Sequence, residues 1–306
     1  MQRAYISKLM ELAEKDCNVL HILADSGTGY DEMFHMNFPE QMYNFGIAEE
    51  NMIAAAAGMA TVGKIPFVYT AGAFLAYRGF EFLRNDICFQ NLNVKIVGMG
   101  SGLAWSTLGP THHTTEDIAV LRVLPQLTIL SPATPVQVKA CVEEAYEING
   151  PVYIRIGMNN EKEYYDSTYE FLAGKNDVLA DGANITVFTT GSILEEVMIA
   201  AQILEQKGIL VNVVNISSIK PFDKKNIILM AGKSEIFVTV EEHSIYGGIG
   251  SIIDETLMDN GIIVKHVRIG LEDKFAVGYG TQREVRIQNN LGAESIVRKI
   301  MENVNE

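Results

Sequence analysis

Short apolar runs rich in valine and isoleucine recur along the chain, separated by longer stretches with helical periodicity. Such alternation predicts βαβ units around a largely parallel sheet. The first half carries five predicted strands, at 19–25, 65–70, 94–99, 127–131 and 152–156, with helices between them that include 48–61 and 135–147. After Gly157 the pattern lapses through a polar, tyrosine-rich, acidic stretch without sustained period. It then resumes, with strands predicted at 185–190, 211–216, 236–240 and 262–267 and a helix at 193–205, where Ile193, Val197, Ala201 and Leu204 share one face. The expectation is an α/β chain of two consecutive domains, 1–165 and 183–306, joined by a connection at 166–182. Each domain is expected to hold a mostly parallel sheet flanked by helices, and no solenoid repeat interrupts the pattern.

Composition supports this picture and narrows the partners. With 306 residues, 48% of them hydrophobic, the chain has material for two cores. A net charge of -14 and a pI near 4.9 argue against nucleic acid and anionic membranes, since neither polyanion gains by releasing counterions to an acidic surface. Cys17, Cys88 and Cys141 are odd in number and far apart, which fits a reducing cytoplasm and no disulfide or zinc framework. The opening residues MQRAYISKLMELAEKD mix charge with apolar residues and so lack a signal-peptide core. The most apolar stretch, 53–62, is too short to span a bilayer. A soluble cytoplasmic protein is expected.

Ligands of open α/β sheets gather at the carboxyl ends of strands, so the turns there are the places to search. The glycine runs at 98–102 and 246–251 each approach a dinucleotide fingerprint, but Leu103 and Ile253 stand where the third glycine belongs. Backbone turns explain both runs. More informative is YNFGIAEENMIAAAAGMA at 43–60, where Gly46 breaks an extended stretch and Glu49 and Glu50 open an alanine-rich helix. Taken alone, the two acids simply suit the positive end of a helix dipole.

The residues G-I-A-E-E-N at 46–51 also resemble the glycine-isoleucine-x-glutamate motif of transketolases and deoxyxylulose-phosphate synthases. Further segments resemble the same family in the expected order: Ala24-Asp25, the aromatic run at 66–87, GPTHHTTEDIAVLRVLP at 109–125, SPAT at 131–134 and GPVYIRIG at 150–157. GSILEEVMIAAQIL, SIKPFD and VEEHSIYGGIGS resemble the family's C-terminal domain. Nearly the whole chain is covered. It is similar to the pyrimidine-binding and C-terminal part of a thiamine-diphosphate transketolase, encoded as a separate subunit.

The resemblance implies roles. Glu49 would be the acid that hydrogen-bonds N1′ of the cofactor's aminopyrimidine and so activates thiazolium C2, a task suited to a carboxyl in an apolar pocket. Asp25, Phe74 and Tyr77 join Glu49 as cofactor-binding candidates, with Phe74 and Tyr77 expected on one helical face. The family's further pocket aromatic falls on Ala71. His112 matches the histidine beside the substrate carbonyl, a residue type that titrates near neutrality, while His113 is read as a loop residue. At three substrate-pocket positions the chain departs from the family: Gly100 replaces a substrate-facing histidine, Leu108 an aspartate that senses a sugar hydroxyl, and Met158 an arginine that grips a sugar phosphate. Arg155 is not its equivalent by strand alternation. The implied substrate is therefore not an ordinary pentose phosphate.

The family's glycine-aspartate-glycine motif, which holds the cofactor diphosphate through Mg²⁺ with paired asparagines, is missing. Asn159-Asn160 and Asn289-Asn290 lack the preceding aspartate and are read as loop or surface residues. No metal ligand is expected in this chain. The resemblance places the diphosphate and its Mg²⁺ or Ca²⁺ on an N-terminal partner subunit, in a two-plus-two heterotetramer acting on a small sugar. Three other readings stay open: the β subunit of a 2-oxo-acid dehydrogenase, a pyruvate-dependent acyl transferase, and a non-catalytic regulatory subunit.

Overall fold

The computed structural model describes residues 1–25, 29–158 and 160–304. It begins with α1 (Gln2–Lys15), which buries Tyr5, Ile6, Leu9, Leu12 and Ala13 at helical spacing. Next come β1 (Val19–Leu23), α2 (Gly29–Asn37), β2 (Met42–Asn44), α3 (Glu49–Thr61) and β3 (Ile65–Ala71). A π-helical turn at Phe74–Arg78, the single turn α4 (Phe80–Phe82) and a second π-helical turn at Leu83–Cys88 lead to β4 (Lys95–Met99). Then follow α5 (Asp117–Leu121), β5 (Thr128–Leu130), α6 (Pro135–Glu147) and β6 (Val152–Ile156).

The second half runs through β7 (Asp177–Ala180), β8 (Ile185–Thr189), α7 (Leu194–Gln206), β9 (Asn212–Asn215), β10 (Ser218–Lys220) and α8 (Lys224–Ala231). It ends with β11 (Ile236–Ser244), α9 (Ile249–Asp259), β12 (Lys265–Leu271), α10 (Gln282–Gln288) and α11 (Ala293–Val304).

Every strand expected from the apolar runs is present, and the α/β expectation of two mostly parallel sheets holds. The first sheet has the order β10-β5-β6-β4-β3-β1-β2 and the second β12-β11-β8-β9-β7. In β1, β4, β6 and β8 every residue is buried, because helices cover both faces, and this produces unbroken apolar runs in place of alternation. One core cluster lies between the first sheet and α1 and α6, and another under α7 and α11 of the second sheet. A third joins the two halves, running from Ile22, Val68 and Ile96 to Phe188, Val214 and Phe237.

Three short strands have no counterpart in the apolar pattern. β2 pairs with β1 at the edge of the first sheet. β7 falls inside the stretch read as a connection, yet pairs antiparallel with β9. β10 leaves the second half to pair antiparallel with β5, so the last strand of the first sheet comes from beyond the connection. The chain runs from β1 outward to β2 and back across to β3, which makes the carboxyl ends of β1 and β3 the switch point where a crevice opens.

Candidate active site

Around that crevice the sequence folds a carboxylate inward. Beyond β2, Gly46 adopts φ +68°, a left-handed conformation that favours glycine, and turns the chain into α3. Glu49 then occupies the first turn of the helix and is 1% exposed. Its hydrogen bond among the described residues comes from Arg78, whose Nη1 lies 2.6 Å from Glu49 Oε2. Asp25, exposed at the end of β1, is tied to the same turn by Asn44: the side-chain Oδ1 of Asn44 accepts from the Asp25 N–H at 3.1 Å and from the Gly46 N–H at 2.9 Å.

The π-helical turn decides which aromatic residue joins Glu49. Its wide ring is closed by the Gly79 N–H donating to the Phe74 carbonyl at 3.1 Å. Widening rotates residue i+3 away, so Phe74 and Tyr77 do not share a face as the ordinary helical spacing suggested. Arg78 instead lies over the Phe74 ring, 5.0 Å from its centroid. Tyr77 turns to the next loop, where its hydroxyl donates to Glu116 Oε2 at 2.7 Å and accepts from the Glu116 N–H at 3.0 Å.

That loop carries the histidines. Gly102 and Thr114 exchange backbone hydrogen bonds of 3.0 and 2.9 Å, pinching the chain into a lobe that holds Trp105, Leu108 and His112. His112 stands edge-on to Phe74 with ring centroids 5.2 Å apart, and Thr111 Oγ1 lies 2.9 Å from its Nδ1. A continuous path thus runs from Glu49 through Arg78 and Phe74 to His112. His113, expected as a plain loop residue, is buried, and neither ring nitrogen has a partner among the described residues. Burial pushes its imidazole below the usual value, with Glu242 and Glu116 opposing that shift.

Of the substrate-pocket candidates, Leu108 is half exposed, Met158 faces a cavity of about 710 Å³ shared with Trp105, and Gly100 lies against the Trp105 indole. Arg155 points elsewhere. Its Nε donates to Asp117 Oδ2 at 2.9 Å and its Nη2 to the carbonyls of Thr114 and Glu242 at 2.9 and 3.1 Å, so it is consumed in joining the two halves. Asn289 is a correction: read as a loop or surface residue, it is 6% exposed and its amide donates to the Val277 and Val285 carbonyls, both at 2.7 Å. Asn159 lies outside the described residues. Among the described residues, no three His, Cys, Asp or Glu side chains come together as metal ligands.

Sequence reasoning missed Arg78, Asn44 and Trp105. Asn44 was the most accessible of them, two residues before a glycine that needs a left-handed turn. Also unforeseen was the buried carboxylate of Glu242, which accepts from Arg286 Nε and Nη2 at 2.8 and 2.9 Å, from Gln282 Nε2 and from Ser192 Oγ.

Comparison with known proteins finds a match for each half of the chain. Residues 1–162 match the family model described as transketolase, pyrimidine binding domain, and residues 174–285 match transketolase, C-terminal domain. One of the two apulose-4-phosphate transketolase subunits of Actinobacillus succinogenes is 33% identical over 95% of this chain and 94% of its own length. A 6-deoxy-6-sulfo-D-fructose transketolase subunit from a Clostridium species is 32% identical over 97% and 92%. A split-gene transketolase solved as an inactive beta4 tetramer is 36% identical, with a TM-score of 0.91 over 98% of this chain and 97% of that one.

Proposed function

Because the chain belongs to the transketolase family, with the family's pyrimidine-binding and C-terminal domains, we propose that it is one subunit of a split, thiamine-diphosphate-dependent transketolase. The enzyme moves a two-carbon ketol unit from a ketose to an aldehyde. We place the domains at 1–165 and 183–306, with β7 as the part of the connection drawn into the second sheet.

The observation that carries this reading is the buried Glu49 carboxylate beside the Phe74 face. A planar, nitrogen-rich cation, the Arg78 guanidinium, already takes both as partners. These are the partners an aminopyrimidine requires, so the residues fit the group. Glu49 would hold the proton at N1′ and Phe74 would border the ring. His112 would carry a proton at the substrate oxygen, and Tyr77 would fix its loop through Glu116. Asp25 belongs to the same pocket through Asn44. When bound, the cofactor supplies the electron sink for carbon–carbon cleavage.

The diphosphate and its Mg²⁺ or Ca²⁺ belong, in this reading, to an N-terminal partner subunit, in a two-plus-two assembly. In support, relatives of matching length are named as transketolase subunits, and one relative assembled from such chains is an inactive tetramer. Relatives named for apulose 4-phosphate and 6-deoxy-6-sulfo-D-fructose support a substrate other than an ordinary pentose phosphate, as do Gly100, Leu108 and Met158. No helix among the described residues is long and apolar enough to cross a membrane, and we assign the enzyme to the cytoplasm.

The test is Glu49→Gln in the assembled complex. Exchange of the cofactor's C2 proton should fall by about 10²–10⁴-fold, the usual share of a positioned acid or base, with folding kept. Unchanged exchange removes Glu49 from the role. Turnover by this chain alone, free of any partner, removes the split-subunit reading.

A further inference from the structure

A side chain at position 100 and the Trp105 indole exclude one another. Gly100 has φ +79°, and a Cβ built there would run into the indole at Nε1 and Cδ1. The indole N–H is buried without a hydrogen-bond partner among the described residues, so the ring is seated by shape and depends on the missing side chain at 100. From that seat it stands edge-on to His112, with centroids 6.2 Å apart. The Trp105 carbonyl accepts from the Leu108 N–H at 2.9 Å, and Trp105 and Met158 line the same cavity of about 710 Å³. The three apolar groups therefore adjoin the histidine at the candidate reacting end.

We propose that Trp105 sets the acceptor specificity of the transfer reaction: its indole fills the room a side chain at 100 would need and, with Leu108 and Met158, selects an aldehyde deoxygenated beside its carbonyl. The inference rests on the transketolase reading. Leu108 lies only four residues before His112 in the same lobe, which sets this wall next to the carbonyl. A hydroxyl turned toward indole, leucine and thioether would lose water and regain no partner, whereas a carbon–hydrogen face packs on the ring.

The assembled complex is assayed with one ketose donor and two acceptors that differ in a single oxygen, ribose 5-phosphate and 2-deoxyribose 5-phosphate. Their shared phosphate cancels any effect of Met158 on that group. The deoxy acceptor should be favoured about tenfold in kcat/KM, the scale on which pocket shape discriminates. Trp105→Ala removes the indole and Gly100→Ala expels it; each should bring the ratio near one, chiefly through KM for the deoxy acceptor. Agreement between the two variants, with matching melting curves, separates pocket loss from misfolding. Equal use of both acceptors by the unaltered complex, or a ratio unmoved in the variants, overturns the proposal.

If the complex transfers no ketol unit, the function reading falls separately, and fluorescence then decides the role of Trp105. It is the chain's single tryptophan, so its emission is the difference between the unaltered and Trp105→Phe complexes. Quenching by 2-deoxyribose 5-phosphate but not by ribose 5-phosphate supports the proposal. Equal or absent quenching overturns it.

Discussion

Two buried glutamates, each paired with an arginine, serve opposite ends in the two halves of the molecule. Glu242 is saturated: both oxygens accept from Arg286 and Gln282, one also from Ser192, and the arginine side chain is only 6% exposed. Glu49 makes one hydrogen bond among the described residues, to an arginine whose side chain is 43% exposed. Equal burial thus conceals unequal commitment. A carboxylate with every lone pair engaged is a fastener, and one held by a single solvent-facing cation is free to exchange that partner for a ligand.

The comparison can be broken most forcefully at Arg286. Arg286→Met leaves Glu242 buried and unpaired, and denaturant unfolding should show a loss of about 3–5 kcal/mol. A loss under about 1 kcal/mol would mean that Glu242 is no fastener. A smaller, graded effect is expected in acid. Burial alone would raise the Glu242 carboxyl, but Arg286 and Gln282 hold it below the ordinary glutamate value. A folded pKa below the unfolded one gives stability that is complete above the unfolded pKa and lost as pH falls through the folded one. Acid unfolding curves should therefore steepen below about pH 4.5, and the slope should ease in Glu242→Gln. Superimposable slopes would remove Glu242 from the acid response.

At the other glutamate the expected stability changes are slight. Glu49→Gln should alter unfolding free energy by less than about 1.5 kcal/mol, since it forfeits one charge-assisted contact and no saturated network. A loss matching that of Arg286→Met would erase the contrast. Arg78→Gln should cost least, under about 1 kcal/mol, because the exposed guanidinium is screened by solvent; thermal melts at low and high salt would check this.

How much of this could be read from the sequence depended on whether the cause was local. Helix α6 begins and ends where expected because its signals adjoin it: Thr134 accepts from the Gln137 N–H at 3.3 Å and Pro135 fits the first turn. The buried strands declared themselves as apolar runs. Strands β2, β7 and β10 did not, since three or four residues at a sheet edge are defined by the neighbour they pair with. The segments bearing Glu49, Phe74 and His112 were legible from the order of their motifs. The widening that puts Arg78 over Phe74 was not, because a π turn depends on how the helix packs. The Glu242 cluster joins Ser192, Gln282 and Arg286, residues as far as 94 positions apart in the chain, and no local pattern announces such a meeting.

Strand β10 bears on how the protein can be made. On the ribosome, β1 through β6 emerge well before residues 218–220, and until those arrive the outer edge of β5 has no partner. An open edge of this kind is a template for pairing with other chains. The first domain is therefore not a portable module. A gene cut at the connection would release it with that edge bare, and a usable excision would have to carry the β10 segment along.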